Sequence, residues 1–411
     1  MNQSVSQRVV NGCLRDNLCE QGLVVSERLR KVMKRLLKPI SVVTVLTLVQ
    51  PTFATTIEVN SYLDIEVAQD YQCTLREAIN NANLSDETTA GDCVTGSAGT
   101  DIIKFIGLSE QTILLKAPLT VSSYIRFDAT AVHGLRLSGA HKHRIFEIAP
   151  EIVVEMEGLM FIQGMATEGG AILNQGNLTL IDSVFSNNVA DNGGGISNYG
   201  ELTIMRTYFA RNLSQHFGGS LWNPRGQMIV LNSNFFNNSA SSGGGISNRG
   251  EHSDLIVANT LFANNRAQSQ GGGIHNLAGE LTVINNTFVA NQSAQGGHSI
   301  WNQGFFHLKN TLMADTSQQG LQCINEGTIA TNIQNLIEDG SCHASYSGNP
   351  YLKQLATEPP IYVLLTSSPA IDNGDQYTCS HFPVNNFDQQ GQLRMTQAHL
   401  NCDIGALEWR E

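Results

Sequence analysis

One short phrase recurs six times between Gly169 and Asn302: GGAILN at 169–174, GGGISN at 193–198, GGSLWN at 218–223, GGGISN at 243–248, GGGIHN at 271–276 and GGHSIWN at 296–302. Its aliphatic residue falls at Ile172, Ile196, Leu221, Ile246, Ile274 and Ile300, at intervals of 24, 25, 25, 28 and 26 residues. A unit of about 25 residues cannot bury an apolar face alone, so the copies must stack and the chain must be a solenoid.

A second motif follows in each unit, as FSNN at 185–188, FARN at 209–212, FFNN at 235–238, FANN at 262–265 and FVAN at 288–291. Between the motifs lie runs such as LTL at 178–180, LTI at 202–204 and LTV at 281–283, apolar at every second position. Period-two alternation in runs this short predicts strands, and no helical spacing appears inside the unit. A coil of three short strands, turned at Gly-rich and Asn-rich corners, is a parallel β-helix. Stacking then makes one interior column of Ile172, Ile196, Leu221, Ile246, Ile274 and Ile300. It also makes a ladder of Asn174, Asn198, Asn223, Asn248, Asn276 and Asn302, whose amides bond from coil to coil. Less regular coils are expected from about residue 101 and as far as 336, roughly ten in all, or on the order of 50 Å at ~4.8 Å per coil.

The basic residues Lys34, Arg35 and Lys38, the apolar run 39–49 and the small residues before Thr55 read as a secretory signal starting at Met33 and cleaved after Ala54. Its apolar core is too short to span a membrane. Removing 1–54 leaves 16 basic against 33 acidic residues, a net charge near −17 that repels nucleic acid and anionic lipid. The six remaining cysteines form three sequence-local pairs, Cys73 with Cys93, Cys323 with Cys342 and Cys379 with Cys402. Six cysteines allow fifteen connectivities, and locality favours these three in an exported chain. No CxxC-type cluster suggests zinc.

Three stretches resemble known bacterial exported proteins. CTLREAINNAN at 73–83 is similar to the CSLREA motif that opens many right-handed β-helix proteins, with Thr74 where Ser is usual. The GGAI/GGGI phrases and the Phe-x-x-Asn motifs look like the repeats of the polymorphic outer membrane proteins of chlamydiae. SPAIDNG at 368–374, FDQQGQLR at 387–394 and DIGALE at 403–408 resemble the choice-of-anchor Q module, with Gln390 where Arg is common. The resemblance implies an exported, right-handed β-helix. Chlamydial relatives end in an outer-membrane barrel and this sequence ends at Glu411, so release is expected as readily as retention at the surface.

Hydrolases on such a fold need two or three carboxylates converging on neighbouring coils. Asp182, Asp191 and Glu201 fall in the central coils without forming such a cluster. A lyase needs a basic residue to take a proton beside a uronate, and His141, Lys142, His143 and Arg144 are the densest basic run. Its plain reading is an exposed turn; the alternative is a patch for an anionic ligand. The residues next to the Ile column read Leu173, Ser197, Trp222, Ser247, His275 and Trp301. With Ile inward they should face outward, so that Trp222 and Trp301 could stack on sugar rings with His275 between them; otherwise a loop or the C-terminal module covers them. Asp372, Asp388, Asp403, Glu408 and Arg394 suggest an internal salt-bridge network ahead of a calcium site.

The expectation is therefore an all-β, single-stranded right-handed parallel β-helix with disulfide-bonded ends. Its parts are a leader at 1–54, an N-terminal cap at 55–99, the helix at 100–345 and a C-terminal cap at 346–411. Its function is adhesion, surface structure or glycan contact, secreted or at the bacterial surface, without catalytic residues, cofactor or metal and with no transmembrane segment in the mature chain. The partner is an extracellular polysaccharide or a cell-surface molecule, not nucleic acid. The alternative is a polysaccharide lyase or glycoside hydrolase.

Overall fold

A computed structural model of the chain describes residues 54–66, 69–314, 320–395 and 401–410. The leader lies outside the described residues except for Ala54, which stands just ahead of the first strand, Thr56–Val59. The described residues form an all-β parallel β-helix, with four parallel sheets of eleven, ten, nine and six strands.

A central coil runs through Ile172–Asn174, Asn177–Ile181, Val184–Ser186 and Val189–Asn192 before the next copy of the phrase begins at Gly193. Three of these strands answer the expected coil. The fourth, belonging to the six-stranded sheet, is an addition that sequence reading missed. Corners use left-handed backbone: Asp182, Arg206, Asn232, Asn259, Asn285 and Asn310 all have φ between 46° and 52°. Asn accepts that region at less cost than most residues, which explains its recurrence. The first glycine of each phrase makes the sharpest corner. At Gly243, φ is +69° and a Cβ would lie 2.3 Å from the Ile246 carbonyl oxygen.

The interior is built of columns. Ile172, Ile196, Leu221, Ile246, Ile274 and Ile300 pair in register and are fully buried. Phe161, Phe185, Phe209, Phe235, Phe262 and Phe288 stack beside them with ring centroids 4.5–4.9 Å apart. The Asn174 amide donates to Asn198 at 2.8 Å, and the relay continues through Asn223, Asn248, Asn276 and Asn302 to Asn325. A second relay joins Asn188, Asn212, Asn238, Asn265 and Asn291, each also donating to a phenylalanine carbonyl one coil back. The two relays satisfy amides that would otherwise be buried without partners, at about 1–3 kcal/mol each.

The helix Leu75–Leu84 opens with a capping box in which Thr74 accepts from the Glu77 amide and Glu77 accepts from the Thr74 amide. Its buried face, Leu75, Ala78, Ile79 and Ala82, joins the core at the first coils, and the Cys73–Cys93 disulfide braces it. Cys323–Cys342 ties the last coil. The C-terminal module, expected as a terminal cap, extends well beyond the end. Leu364, Ala370 and Ile404 pack on Leu312, Ala314 and Leu336. The chain then runs back along the flank of four coils, where side-chain amides of Asn310, Asn285, Asn259 and Asn232 donate to carbonyls of Asp375, Asp403, Phe387 and Asp388. Cys379–Cys402 closes this module against Asn285 and Asn310.

Candidate functional site

Sequence reasoning turned Trp222, His275 and Trp301 outward and left two readings, an open face that stacks on sugar or a column covered by a loop or the C-terminal module. The structure aligns them on one column, Trp222 with Ser247, Ser247 with His275 and His275 with Trp301 in successive strands. The column is covered over much of its length: His275 is 2% and Trp301 7% exposed, and Trp222 is half-buried. The cause is the additional strand. Before entering each phrase the chain folds over the face of the nine-stranded sheet, so closely that a Cβ on Gly243 would meet the Ser247 Cβ at 2.9 Å. Tyr199 meets Trp222 edge to face, and Arg225 lies over the Tyr199 ring. Both indole nitrogens and both His275 nitrogens are buried without a hydrogen-bond partner. Burial, with Arg249 adding to it, draws the His275 pKa down to about 4 and keeps the ring neutral. His275 and Trp301 could meet a sugar only if that cover moved, whereas Trp222 keeps part of its surface open.

His141, Lys142, His143 and Arg144 form the turn between Arg136–Ser138 and Phe146–Ile148. His141 and Lys142 are exposed, but Arg144 is committed to the carbonyls of Glu168 and Gly169 and to the Glu147 carboxylate. The run therefore works in part as a brace between coils. Two of the three central carboxylates are engaged as well: Arg206 grips Asp182 with two bonds of 2.7 Å, and Glu201 accepts from Asn177 at 2.9 Å.

A site that sequence reasoning missed lies where the C-terminal module stops along the flank. There the outer face of the ten-stranded sheet and the module enclose a groove of about 890 Å³. Met160, Val184 and Tyr208 supply the solenoid wall, and Pro359, Pro383 and Phe387 face them from the module. Two ion pairs edge the groove, Asp182 with Arg206 and Arg211 with Glu358, the latter at 3.9 Å. Only the alternation of the strands hinted at this face, because the opposite wall comes from residues more than a hundred positions away.

The module itself is held by a buried cation. Arg394 donates to Glu408 at 2.5 Å, to Asn259 at 2.8 Å and to the carbonyls of Phe387, Gly405 and Ala406. Asp403 accepts from the Asp372 and Trp409 amides, and Asp388 from those of Gln390 and Gln392. These residues build the internal network that their types suggested. Burial pushes Glu408 up to about 7 against the opposing pull of Arg394, and Asp403 is raised for the same chief reason.

The model of the Chlamydia polymorphic membrane protein repeat matches residues 182–199 and 259–277, each span carrying one Phe-x-x-Asn motif and one glycine phrase. The central coils are thus similar to the repeat of the Chlamydia polymorphic membrane proteins. No curated protein and no solved structure matches the chain. Among the described residues no helix is long and apolar enough to cross a membrane.

Proposed function

We propose that this chain is an exported β-helix that works at or near the bacterial cell surface by binding, with glycan contact as its chemistry. The observation that carries the reading is the surface-protein repeat set in a parallel solenoid. Three disulfides support it, since such bonds persist in oxidising compartments. The leader read over 33–54 and the resemblances at 73–83 and 387–408 point the same way. A rigid rod with side chains repeated every ~4.8 Å offers an extended partner many equivalent contacts. Catalysis fits less well, because Asp182, Glu201 and Arg144 already hold partners within the fold.

Two measurements test the reading. Fractionation and protease shaving of cells making the full chain should place it outside the cytoplasm, and a strictly cytoplasmic, reduced protein would refute export. A glycan array probed with the folded chain, followed by mass analysis of each eluted glycan, should return intact glycans. Shortened or unsaturated products would make it an enzyme instead.

A further inference from the structure

The first coil holds a buried carboxylate whose charge has no opposite. Asp101 opens the strand Asp101–Phe105 and is fully buried. Among the described residues no lysine, arginine or histidine pairs with it. Its side-chain oxygens accept from the Ser97 hydroxyl at 2.5 Å, from the Ser97 amide at 3.0 Å and, more distantly, from the Thr55 amide at 3.4 Å. Neutral donors soften the cost of burying an ion without cancelling it.

The third donor stands out by its position in the chain. Thr55 follows Ala54, where the leader reads as ending, and Thr52 and Ala54 are the small residues that a leader peptidase favours. That bond lies at the threshold of the fold: Ala54 is exposed, the strand Thr56–Val59 begins just after it, and Ile57 is already fully buried. Thr55 is held in place, because its carbonyl accepts from the Ile102 amide at 2.8 Å and Thr56 pairs with Ile102 in register. The strand that it leads into is the outermost of the eleven-stranded sheet.

Hydrolysis of the Ala54–Thr55 bond by a leader peptidase changes what the Thr55 nitrogen is. The oxygen of water goes to the Ala54 carbonyl carbon, which departs with the leader as a carboxylate. Both protons of water go to the Thr55 nitrogen, which becomes an α-ammonium. A neutral donor at 3.4 Å is thereby replaced by a cation, and a shift of about half an ångström brings it to the length of a charge-assisted bond.

We propose that Asp101 is the receptor for the chain's own new N-terminus: removal of the leader after Ala54 creates a Thr55 ammonium that pairs with the buried carboxylate and pins the first strand to the second. The assignment rests on the export reading and adds to it a processing site and a use for its product. Chain ends are ordinarily the first places to fray. The pair fastens this one in a way that the unprocessed chain lacks. The alternative is a loop staple, in which Asp101 only closes the turn back to Ser97.

The test uses the full chain as cells make and export it, with its disulfides intact. Mass and N-terminal analysis should show a product that begins at Thr55. Mild acylation at neutral pH then reads the ammonium directly, because only the neutral amine reacts and an ion pair keeps it protonated. The Thr55 amine should acylate about tenfold more slowly than that of a peptide with the same first residues. Asp101→Asn should restore the rate of the peptide and quicken hydrogen exchange over Thr56–Val59. Ser97→Ala, which removes a neutral donor and leaves the carboxylate, should keep the slow rate. An exported chain that begins elsewhere would overturn the receptor and leave export standing. So would a Thr55 amine as reactive as the peptide, which the parent alone decides, or a slow rate that persists in Asp101→Asn. Equal acceleration by both substitutions would reduce Asp101 to the loop staple. A chain kept in the cytoplasm with its leader attached would sink the receptor and the export reading together.

Discussion

The flank beneath the C-terminal module and the outer face of the nine-stranded sheet both bury polar side chains outside the aliphatic core, and they treat them in opposite ways. On the flank, Asn232, Asn259, Asn285 and Asn310 each find a module carbonyl, and every nitrogen of the Arg394 guanidinium finds an acceptor. On the nine-stranded face, Trp222, Ser247, His275 and Trp301 carry nitrogens or a hydroxyl with no partner. The difference lies in the cover. The irregular module brings carbonyls not used by any ladder. The strand and glycine turn that cover the seam use theirs mainly from coil to coil, as when the Gly193 amide donates to Phe217 and the Gly243 amide to Gln270, and of the seam's side chains Ser197 reaches one of them, the Asn192 carbonyl. The regular solenoid pairs its buried amides through the two Asn relays, but in this seam its turns leave nitrogens and a hydroxyl unmet, whereas the irregular module supplies partners on the flank.

Removing Arg394 should break this contrast most severely. Arg394→Met leaves Glu408 buried beside Asp403 without its cation, a loss of about 3–5 kcal/mol. Limited proteolysis should then cut within 376–410 while the central coils resist. Unchanged protection there would mean that the module is held by its apolar contacts alone. A proton acts on the same pair more gently. Glu408 titrates near 7 in the folded chain against about 4.5 in a free carboxyl, so folding favours its protonated form. Its contribution is complete below about pH 4.5 and fades as the pH rises through 7. Hydrogen exchange at 403–410 should therefore quicken from pH 5 to pH 8 beyond the intrinsic rate, and Glu408→Gln should flatten that excess. An excess that survives the substitution would assign it to another group.

What the sequence made legible follows from repetition. The Ile, Phe and Asn columns recur at fixed positions in every unit, so both the interior and the first amide relay could be read residue by residue, and the local cysteine pairs followed from spacing. The covering strand escaped because it is two to five residues of mixed polarity, Val189–Asn192 in one coil and Arg266–Ala267 in another, with no alternation to mark it. Without it the sequence could turn this column outward but could not say what covers it. The module's path escaped for a different reason. Its partners lie up to 157 residues away, and the corner column of Asn232, Asn259, Asn285 and Asn310 looks the same whether an amide meets water or a module carbonyl.

The seam can be tested from its own side. His275 is held neutral, with its pKa drawn down to about 4 from an ordinary 6.5. The unfolded chain takes up a proton that the folded chain refuses, so stability falls as the pH drops from 6.5 towards 4, opposite in sign to the Glu408 effect. At pH 5 the loss is about 2 kcal/mol, and His275→Ser, the residue that Ser197 and Ser247 already place in this column, should remove it. An undiminished acid sensitivity would move the effect to another titrating group. Trp301→Phe probes the smallest effect. Because the indole nitrogen has no partner, deleting it should change stability by less than about 1 kcal/mol and leave the fold intact. A loss of several kcal/mol, measured by denaturant unfolding, would show that ordered water completes the nitrogen, making the seam a hydrated channel. The two covers would then differ only in who supplies the acceptor, protein on the flank and solvent in the seam.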